Sequence, residues 1–288
     1  MYVRPFEYSR VTSVAEAAAL LRHHGDGARL LAGGQSLLPM INLGLAQPEL
    51  LIGIGHLPEL RGVTRQDGEI IIGACTTYAA LAAHEVALAH LSLLVAAIRH
   101  VGNVRVRNQG TLGGSVAHAD PAAETPLVLC VLDARCEASD GERTRQIPAV
   151  DFAQSYYTTA LAEGEILSQL RVPLPAAGTG WGFHEYSRRA GDFAIVAAAA
   201  TVQCRDGAVA EARVGLAGVA DTPVRCRALE AAAVGTKVAE LDGLVDQIDA
   251  DLMPKDDPFV SAEYRRHLAR VLILRALRDA CSRATEVQ

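Results

Sequence analysis

Two glycine pairs flanked by hydroxyl side chains constrain this chain more than any other feature of its sequence. One lies in Ala32-Gly-Gly-Gln-Ser36, directly after a short apolar run, and the other lies in Thr111-Leu-Gly-Gly-Ser115. Glycine lets the backbone approach a ligand closely and adopt φ > 0, so that consecutive amides can form an anion-binding nest. The serine and threonine hydroxyls beside the amides add further donors. The pattern therefore predicts two turns that bind a diphosphate.

The near absence of lysine excludes one familiar phosphate-binding device. Lys237 and Lys255 are the only lysines, and neither stands in a GxxxxGK[ST] context, so a P-loop is not predicted. Neither glycine pair fits G-x-G-x-x-G, which disfavours a Rossmann dinucleotide site. A diphosphate held by backbone amides and hydroxyls needs no lysine.

Charge and hydropathy exclude several other classes of protein. The net charge is −6, so the chain has no overall positive charge that would attract nucleic acid. No apolar run approaches the ~18–20 residues needed to span a bilayer, and the first residues lack a signal-peptide pattern, so we expect a cytoplasmic protein without a transmembrane segment. The six cysteines contain no C-x-x-C pair, so we expect no metal or iron–sulfur site on this chain.

Hydrophobic periodicity and capping residues predict an order of helices and strands along the chain. A capping box at Ser13 predicts a helix over 13–24, and the apolar runs 28–32 and 50–54 predict parallel strands of a βαβ-like unit. Asp120-Pro121 and Thr125-Pro126 each match a helix N-cap followed by proline. The Pro/Gly segment 173–180 is the best linker candidate. The remaining predicted strands are 69–74, 165–172, 182–189, 194–204 and 208–219, and the remaining predicted helices are 77–83, 87–100 and 263–281.

Four motifs in order along the chain carry a family resemblance. They are Ala32-Gly-Gly-Gln-Ser-Leu-Leu-Pro39, Arg107-Asn-Gln-Gly-Thr-Leu-Gly-Gly-Ser115, His118-Ala-Asp-Pro-Ala-Ala-Glu124 and Arg188-Arg-Ala-Gly-Asp-Phe-Ala194. Over essentially its whole length the chain resembles the FAD-binding medium subunit of molybdenum hydroxylases, the group of carbon monoxide dehydrogenase, quinoline oxidoreductase and xanthine dehydrogenase.

The resemblance implies an α+β fold with two regions. A two-subdomain FAD-binding region of the PCMH type is expected over residues 1–175, with subdomains of about 1–55 and 56–175. A C-terminal domain with a three-stranded antiparallel sheet and a helical bundle is expected over residues 176–288.

The resemblance also implies which residues contact FAD. The two glycine segments are expected to hold the pyrophosphate from opposite sides, Glu124 to reach the adenosine end, and either Ile166 or Leu167 to make an apolar contact. Where family members commonly carry lysine this chain has Glu185, so no positive charge from that position is expected to stabilise a reduced flavin. The implied cofactor-binding residues are Leu30, Leu31, Ala32, Gly33, Gly34, Gln35, Ser36, Leu37, Val101, Gly102, Thr111, Gly113, Gly114, Ser115, Asp120, Glu124, Ile166, Leu167, Glu185 and Phe193. None is expected to be catalytic.

The function implied is electron transfer. A large molybdopterin-binding subunit would oxidise the substrate, a small subunit with [2Fe–2S] clusters would pass the electrons on, and the FAD of this chain would deliver them to an external acceptor, in a dimer of heterotrimers. One alternative is a self-contained FAD-dependent oxidoreductase on the same cofactor-binding fold. Another is a structural subunit that has lost FAD, although both glycine segments are intact.

Overall fold

The computed structural model describes residues 4–285, which form three sheets and a small hairpin, with helices packed between them. Within these residues no helix is long and apolar enough to cross a membrane. The chain contains both helices and strands, and a cofactor-binding type of region is followed by a smaller C-terminal domain. This arrangement confirms the α+β fold that the resemblance implies. The boundary at residue 175 and the division near residue 55 stay predictions.

The first sheet is parallel and has three strands. Leu50–Gly53 lies in the centre, between Ala28–Leu31 and Glu7–Arg10. The predicted first helix spans Val14–His24, and its N-terminal amide of Glu16 donates to Ser13 Oγ at 3.1 Å. The predicted βαβ-like unit is therefore present, and its crossover contains a short helix, Leu37–Asn42. The edge strand Glu7–Arg10 was not predicted, because three of its four residues are exposed and no apolar run marks it.

The second sheet has five strands, and every neighbouring pair is antiparallel. Its central strand, Ile166–Pro173, follows the other four strands in the sequence and pairs with both Glu69–Gly73 and Arg135–Ser139. The edge strands are Val63–Gln66 and Thr144–Pro148. A two-stranded hairpin, Ala153–Ser155 and Thr158–Thr159, stands apart from the sheet.

The helices of this region correct two sequence predictions. The helix predicted over 87–100 is two helices, Glu85–His90 and Ser92–Ile98, because the backbone at Leu91 leaves the helical region with φ −117° and ψ 42°. The proline-based N-caps are also wrong. Asp120 accepts from the amide of Ala122 in a turn, and the next helix begins at Glu124. The remaining helices of the region are Tyr78–Ala83, Val104–Gln109, Leu112–His118, Glu124–Val131 and the single turn Ala149–Phe152.

The C-terminal domain places one long helix, Ala262–Thr285, across an antiparallel sheet. Three long strands and one two-residue strand form that sheet, in the order Gly180–Tyr186, Val196–Arg205, Ala208–Ala217 and Val224–Arg225. The helix approaches the sheet closely because the residues at the contact have small side chains or none. The backbones of Gly180 and Gly182 lie against those of Ala280 and Ala276. A short helix, Arg227–Ala233, and a 3₁₀ segment, Val238–Asp251, complete the domain.

The helix Glu124–Val131 joins the two regions. All eight of its residues are buried, and it packs against the C-terminal sheet and against the helices Ser92–Ile98 and Leu112–His118. Arg225 of the C-terminal domain donates to the carbonyl of Cys130 at 2.9 Å and to Asp133 at 2.7 Å. The cofactor region and the C-terminal domain are therefore packed around a shared core.

Candidate functional site

A cavity of about 1170 Å³ opens between the parallel sheet, the five-stranded sheet and the C-terminal domain. It exceeds the ~300–1,000 Å³ of most small-molecule sites, which suits a large dinucleotide. Of the residues predicted to contact the cofactor, all except Glu185 line this cavity. They are Leu30, Leu31, Ala32, Gly33, Gly34, Gln35, Ser36, Leu37, Val101, Gly102, Thr111, Gly113, Gly114, Ser115, Asp120, Glu124, Ile166, Leu167 and Phe193.

The first glycine turn has the properties expected of an anion-binding nest. Gly34 has φ +71°, in the left-handed region that favours glycine. The amides of residues 33–37 donate to no protein acceptor in the described structure. Buried or semi-buried amides are normally paired, so five consecutive unpaired donors on a cavity wall fit a ligand rich in phosphate oxygens.

The second glycine segment is not a turn of the same kind. Leu112–His118 is a helix, so Gly113 and Gly114 stand in its first turn without positive φ. The amide of Gly113 donates to Ala74 O at 2.9 Å, and that of Gly114 to Thr111 Oγ1 at 3.1 Å. These amides are used within the protein, so this segment offers the hydroxyls of Thr111 and Ser115 rather than a nest.

Gly113 is required for packing rather than for ligand approach. A Cβ there would overlap the side chain and backbone of Ala74. At Gly114, by contrast, the nearest heavy atom to an added Cβ is Thr111 Oγ1, at 2.7 Å. The two members of the pair therefore have different reasons to be glycine, which the sequence pattern did not separate.

One buried carboxyl group lines the cavity, and a second, which interacts with it, lies outside the wall. Glu124 lines the cavity and is 4% exposed, and burial, assisted by the charge of Asp120, raises its pKa to about 7. Glu185 lies outside the cavity wall, on the strand Gly180–Tyr186, and burial with the nearby charge of Glu124 raises its pKa to about 8. Its predicted contact with the cofactor stays a prediction.

Sequence reasoning missed an aromatic cluster on the cavity wall. The rings of His118 and Tyr157 are 4.9 Å apart, and the Tyr157 hydroxyl donates to Asp120 Oδ2 at 3.4 Å. Tyr157 has φ +55°, a strained conformation for a residue other than glycine. No local pattern marks Tyr157, because the hairpin that carries it meets His118 only in the folded chain.

Phe193 lines the cavity and is 56% exposed, and its predicted contact with the cofactor stays a prediction. It belongs to the connection between the strands Gly180–Tyr186 and Val196–Arg205, where Gly191 packs on the backbone of Gly102. Among the side chains that the structure describes, no three of His, Cys, Asp or Glu come together as a metal site, and all six cysteines are buried thiols.

Comparison with known proteins defines the class. Residues 4–175 match the family described as the FAD binding domain in molybdopterin dehydrogenase, and residues 181–280 match the CO dehydrogenase flavoprotein C-terminal domain. The chain belongs to the family of FAD-binding medium subunits of molybdenum hydroxylases, and is an FAD-dependent oxidoreductase subunit.

Its similarity extends over the full length of particular relatives. The carbon monoxide dehydrogenase medium chain of Hydrogenophaga pseudoflava is 37% identical over 283 residues, covering 96% of this chain and 98% of that one. The 6-hydroxypseudooxynicotine dehydrogenase complex subunit alpha of Paenarthrobacter nicotinovorans is 35% identical, covering 97% and 95%. A solved structure of the Hydrogenophaga pseudoflava carbon monoxide dehydrogenase has a TM-score of 0.95 and 38% identity, covering 98% and 99%.

Proposed function

We propose that this chain carries electrons through a bound FAD, from the [2Fe–2S] clusters of a small partner subunit to an external acceptor, while a large molybdopterin-binding subunit oxidises the substrate. The observation that carries the proposal is a single cavity lined by the unpaired amides of residues 33–37 on one wall and by Phe193 on another. We further propose a dimer of heterotrimers in the cytoplasm.

The chain's own residues would bind and orient the cofactor. The amides of residues 33–37 would donate to the pyrophosphate, and the hydroxyls of Ser36, Thr111 and Ser115 would add hydrogen bonds. Ile166 and Leu167, both buried, would exclude water from the apolar part of the site. When bound, FAD supplies the redox chemistry, since it exchanges electrons with both one- and two-electron partners.

The division of labour is supported by what the relatives are and by what this chain contains. Two of the relatives are named as a medium chain and a complex subunit, which favours a subunit over a self-contained oxidoreductase. In the described residues no three His, Cys, Asp or Glu side chains come together that could ligate an iron–sulfur cluster. We propose that the clusters and the molybdenum centre lie on partner chains.

Purification of the tagged chain from cells that make its partners tests the proposal. We expect the chain to copurify with iron, molybdenum and two further polypeptides, and to show the absorbance of oxidised flavin. The chain produced alone should still bind FAD, exchange electrons with artificial dyes, and oxidise no organic substrate. Substrate turnover by the isolated chain at enzyme-like rates, without iron or molybdenum, would support the self-contained flavoenzyme instead.

A further inference from the structure

The carboxyl group of Glu185 is buried without a hydrogen-bond donor for one of its oxygens. Its side chain is 3% exposed, and Oε2 has no hydrogen-bond partner in the described structure. Phe183, two residues earlier on the same strand, packs against His100 at 5.1 Å between ring centroids, on the side that faces the FAD-binding region. An ionised carboxylate in this position would lose its hydration without compensation, which is costly.

No cation compensates this carboxyl group. The closest candidate, His100 Nδ1, is 4.0 Å from Glu185 Oε2, beyond hydrogen-bond distance, and burial together with His184 lowers the pKa of His100. The guanidinium of Arg107 donates to the carbonyls of Val101 and Gly102 instead. In the described chain neither Glu185 nor Glu124 forms an ion pair with lysine or arginine.

The other titratable groups that face Glu185 make ionisation less favourable. Glu124, on the helix Glu124–Val131, contributes a like charge that raises the pKa of Glu185, and Asp120 does the same to Glu124. Tyr78 stands beside Glu124, and burial raises its pKa to about 12, so it is neutral at physiological pH. Only the hydroxyl of Ser187 acts in the opposite direction on Glu185.

We propose that Glu185 is a positioning residue that must hold a proton for FAD to bind tightly, so that the FAD site itself is pH dependent. The proposal rests on the FAD binding proposed above. Protonated Glu185 is neutral, so it adds no charge to the carboxyl groups of Asp120 and Glu124 that line the cavity. Loss of the proton would add a negative charge that interacts with Glu124, close to a cavity that must accept an anionic pyrophosphate.

The direction of the pH effect follows from linkage. FAD brings negative charge to the cavity that Glu124 lines, and this charge favours the protonated form of the pair. FAD binding therefore takes up a proton when Glu185 is ionised beforehand, and the Kd rises with pH above about 8. The proton comes from solvent, and no covalent bond other than the O–H bond of the carboxyl group forms or breaks.

Titration of FAD into the full chain, stripped of its cofactor, tests this inference at several values between about pH 6 and pH 9. Flavin fluorescence quenching gives the Kd. We expect the wild-type Kd to rise with pH, by up to about tenfold per pH unit for one linked proton. Glu185→Gln keeps the shape of the protonated carboxyl group and should show a smaller rise of the Kd above about pH 8, because only Glu124, with a pKa of about 7, still titrates. Glu263→Gln, a change at an exposed glutamate on the long C-terminal helix, should keep the wild-type slope.

Calorimetry of the wild-type chain measures proton uptake on FAD binding directly, and this measurement does not depend on the folding of any variant. In buffers of different ionisation enthalpy, the apparent binding enthalpy should reveal proton uptake above about pH 8 and little below about pH 6. A Kd and a proton count that do not vary with pH in the wild type would overturn the inference. A slope that persists in Glu185→Gln and disappears in His100→Gln would assign the proton to the imidazole and overturn it as well. Failure to bind FAD at any pH would instead refute the proposed function.

Discussion

Gly33 packs directly against the carbonyl oxygen of Gln109, so that a Cβ at Gly33 would overlap that oxygen and approach Gly110 Cα to 2.9 Å. The two residues belong to different glycine segments and are far apart in sequence. Their contact closes one side of the cavity by joining the turn after Ala28–Leu31 to the helices Val104–Gln109 and Leu112–His118. One reason for glycine at position 33 is therefore contact between two parts of the protein.

We predict that Gly33→Ala separates the two segments. Its Cβ meets backbone atoms, which cannot move aside as a flexible side chain can, so both FAD content and stability should fall. The ratio of flavin absorbance to protein and the Tm measure the two effects. Gly243→Ala is the control, because no heavy atom lies within 4 Å of its added Cβ. Wild-type flavin content in Gly33→Ala would contradict the prediction.

Gly34→Ala tests the nest with a smaller packing cost than Gly33→Ala, because its added Cβ would meet Leu38 Cδ1 at 2.9 Å, which is the end of a flexible side chain. At φ +71° an alanine should cost about 1–2 kcal/mol of backbone strain. Gly68→Ala provides the same kind of strain at φ +80° in a turn with nothing within 4 Å of the added Cβ. We expect both variants to lose free energy of unfolding, Gly34→Ala somewhat more because Leu38 must shift, and a weaker FAD affinity only for Gly34→Ala. Equal FAD affinities in the two variants would show that the turn does not hold the cofactor.

Thr111→Val tests the hydroxyl of the second segment. Thr111 and Thr77 are both helix N-caps, accepting from the amides of Gly114 at 3.1 Å and Ala80 at 3.2 Å. Thr77→Val is therefore the control, and Thr111→Val and Thr77→Val should each lose about 1 kcal/mol of stability. Only Thr111 lines the cavity, so only Thr111→Val should also raise the Kd for FAD, as measured by fluorescence. The same Kd in both variants would remove Thr111 from the binding site.

Arg225→Met tests the junction between the regions. Arg225 is buried, and it binds Glu230 at 2.6 Å as well as Asp133 at 2.7 Å. Its loss leaves Glu230 buried without its main partner, which should cost about 3–5 kcal/mol. Arg227→Ala removes an exposed partner of the same Glu230, 3.3 Å away, and should cost no more than about 1 kcal/mol. Urea unfolding measures both, and equal costs would contradict the assignment.

The stability of the chain without FAD should depend on pH through Glu185. Burial raises the pKa of Glu124 to about 7 and that of Glu185 to about 8, from an ordinary 4.5. A carboxyl group whose pKa is higher in the folded chain gives stability that is complete below the unfolded pKa and is lost as pH rises through the folded pKa. The free energy of unfolding should therefore fall between about pH 5 and pH 8, less steeply in Glu185→Gln. Parallel curves for the two proteins would refute this.

Local sequence determined the elements whose signals lie within a few residues. Ser13 and Gly25 bound the first helix because a cap and a helix stop act on adjacent backbone, and the apolar runs produced the parallel strand pair as predicted. Motif order identified the family and 19 of the cavity-lining residues, since amides and hydroxyls that bind one ligand recur at a characteristic spacing along the chain.

Only the tertiary structure decided what the individual glycines and acids do. The amide of Gly113 is used by Ala74, and Gly33 is required by Gln109, because hydrogen bonds and close contacts join segments that the sequence does not place together. The ionisation of Glu124 and Glu185 likewise depends on burial and on their mutual distance across two regions of the fold. The sequence contains the chemistry of the site, whereas folding determines which groups keep their protons and which amides remain available to a ligand.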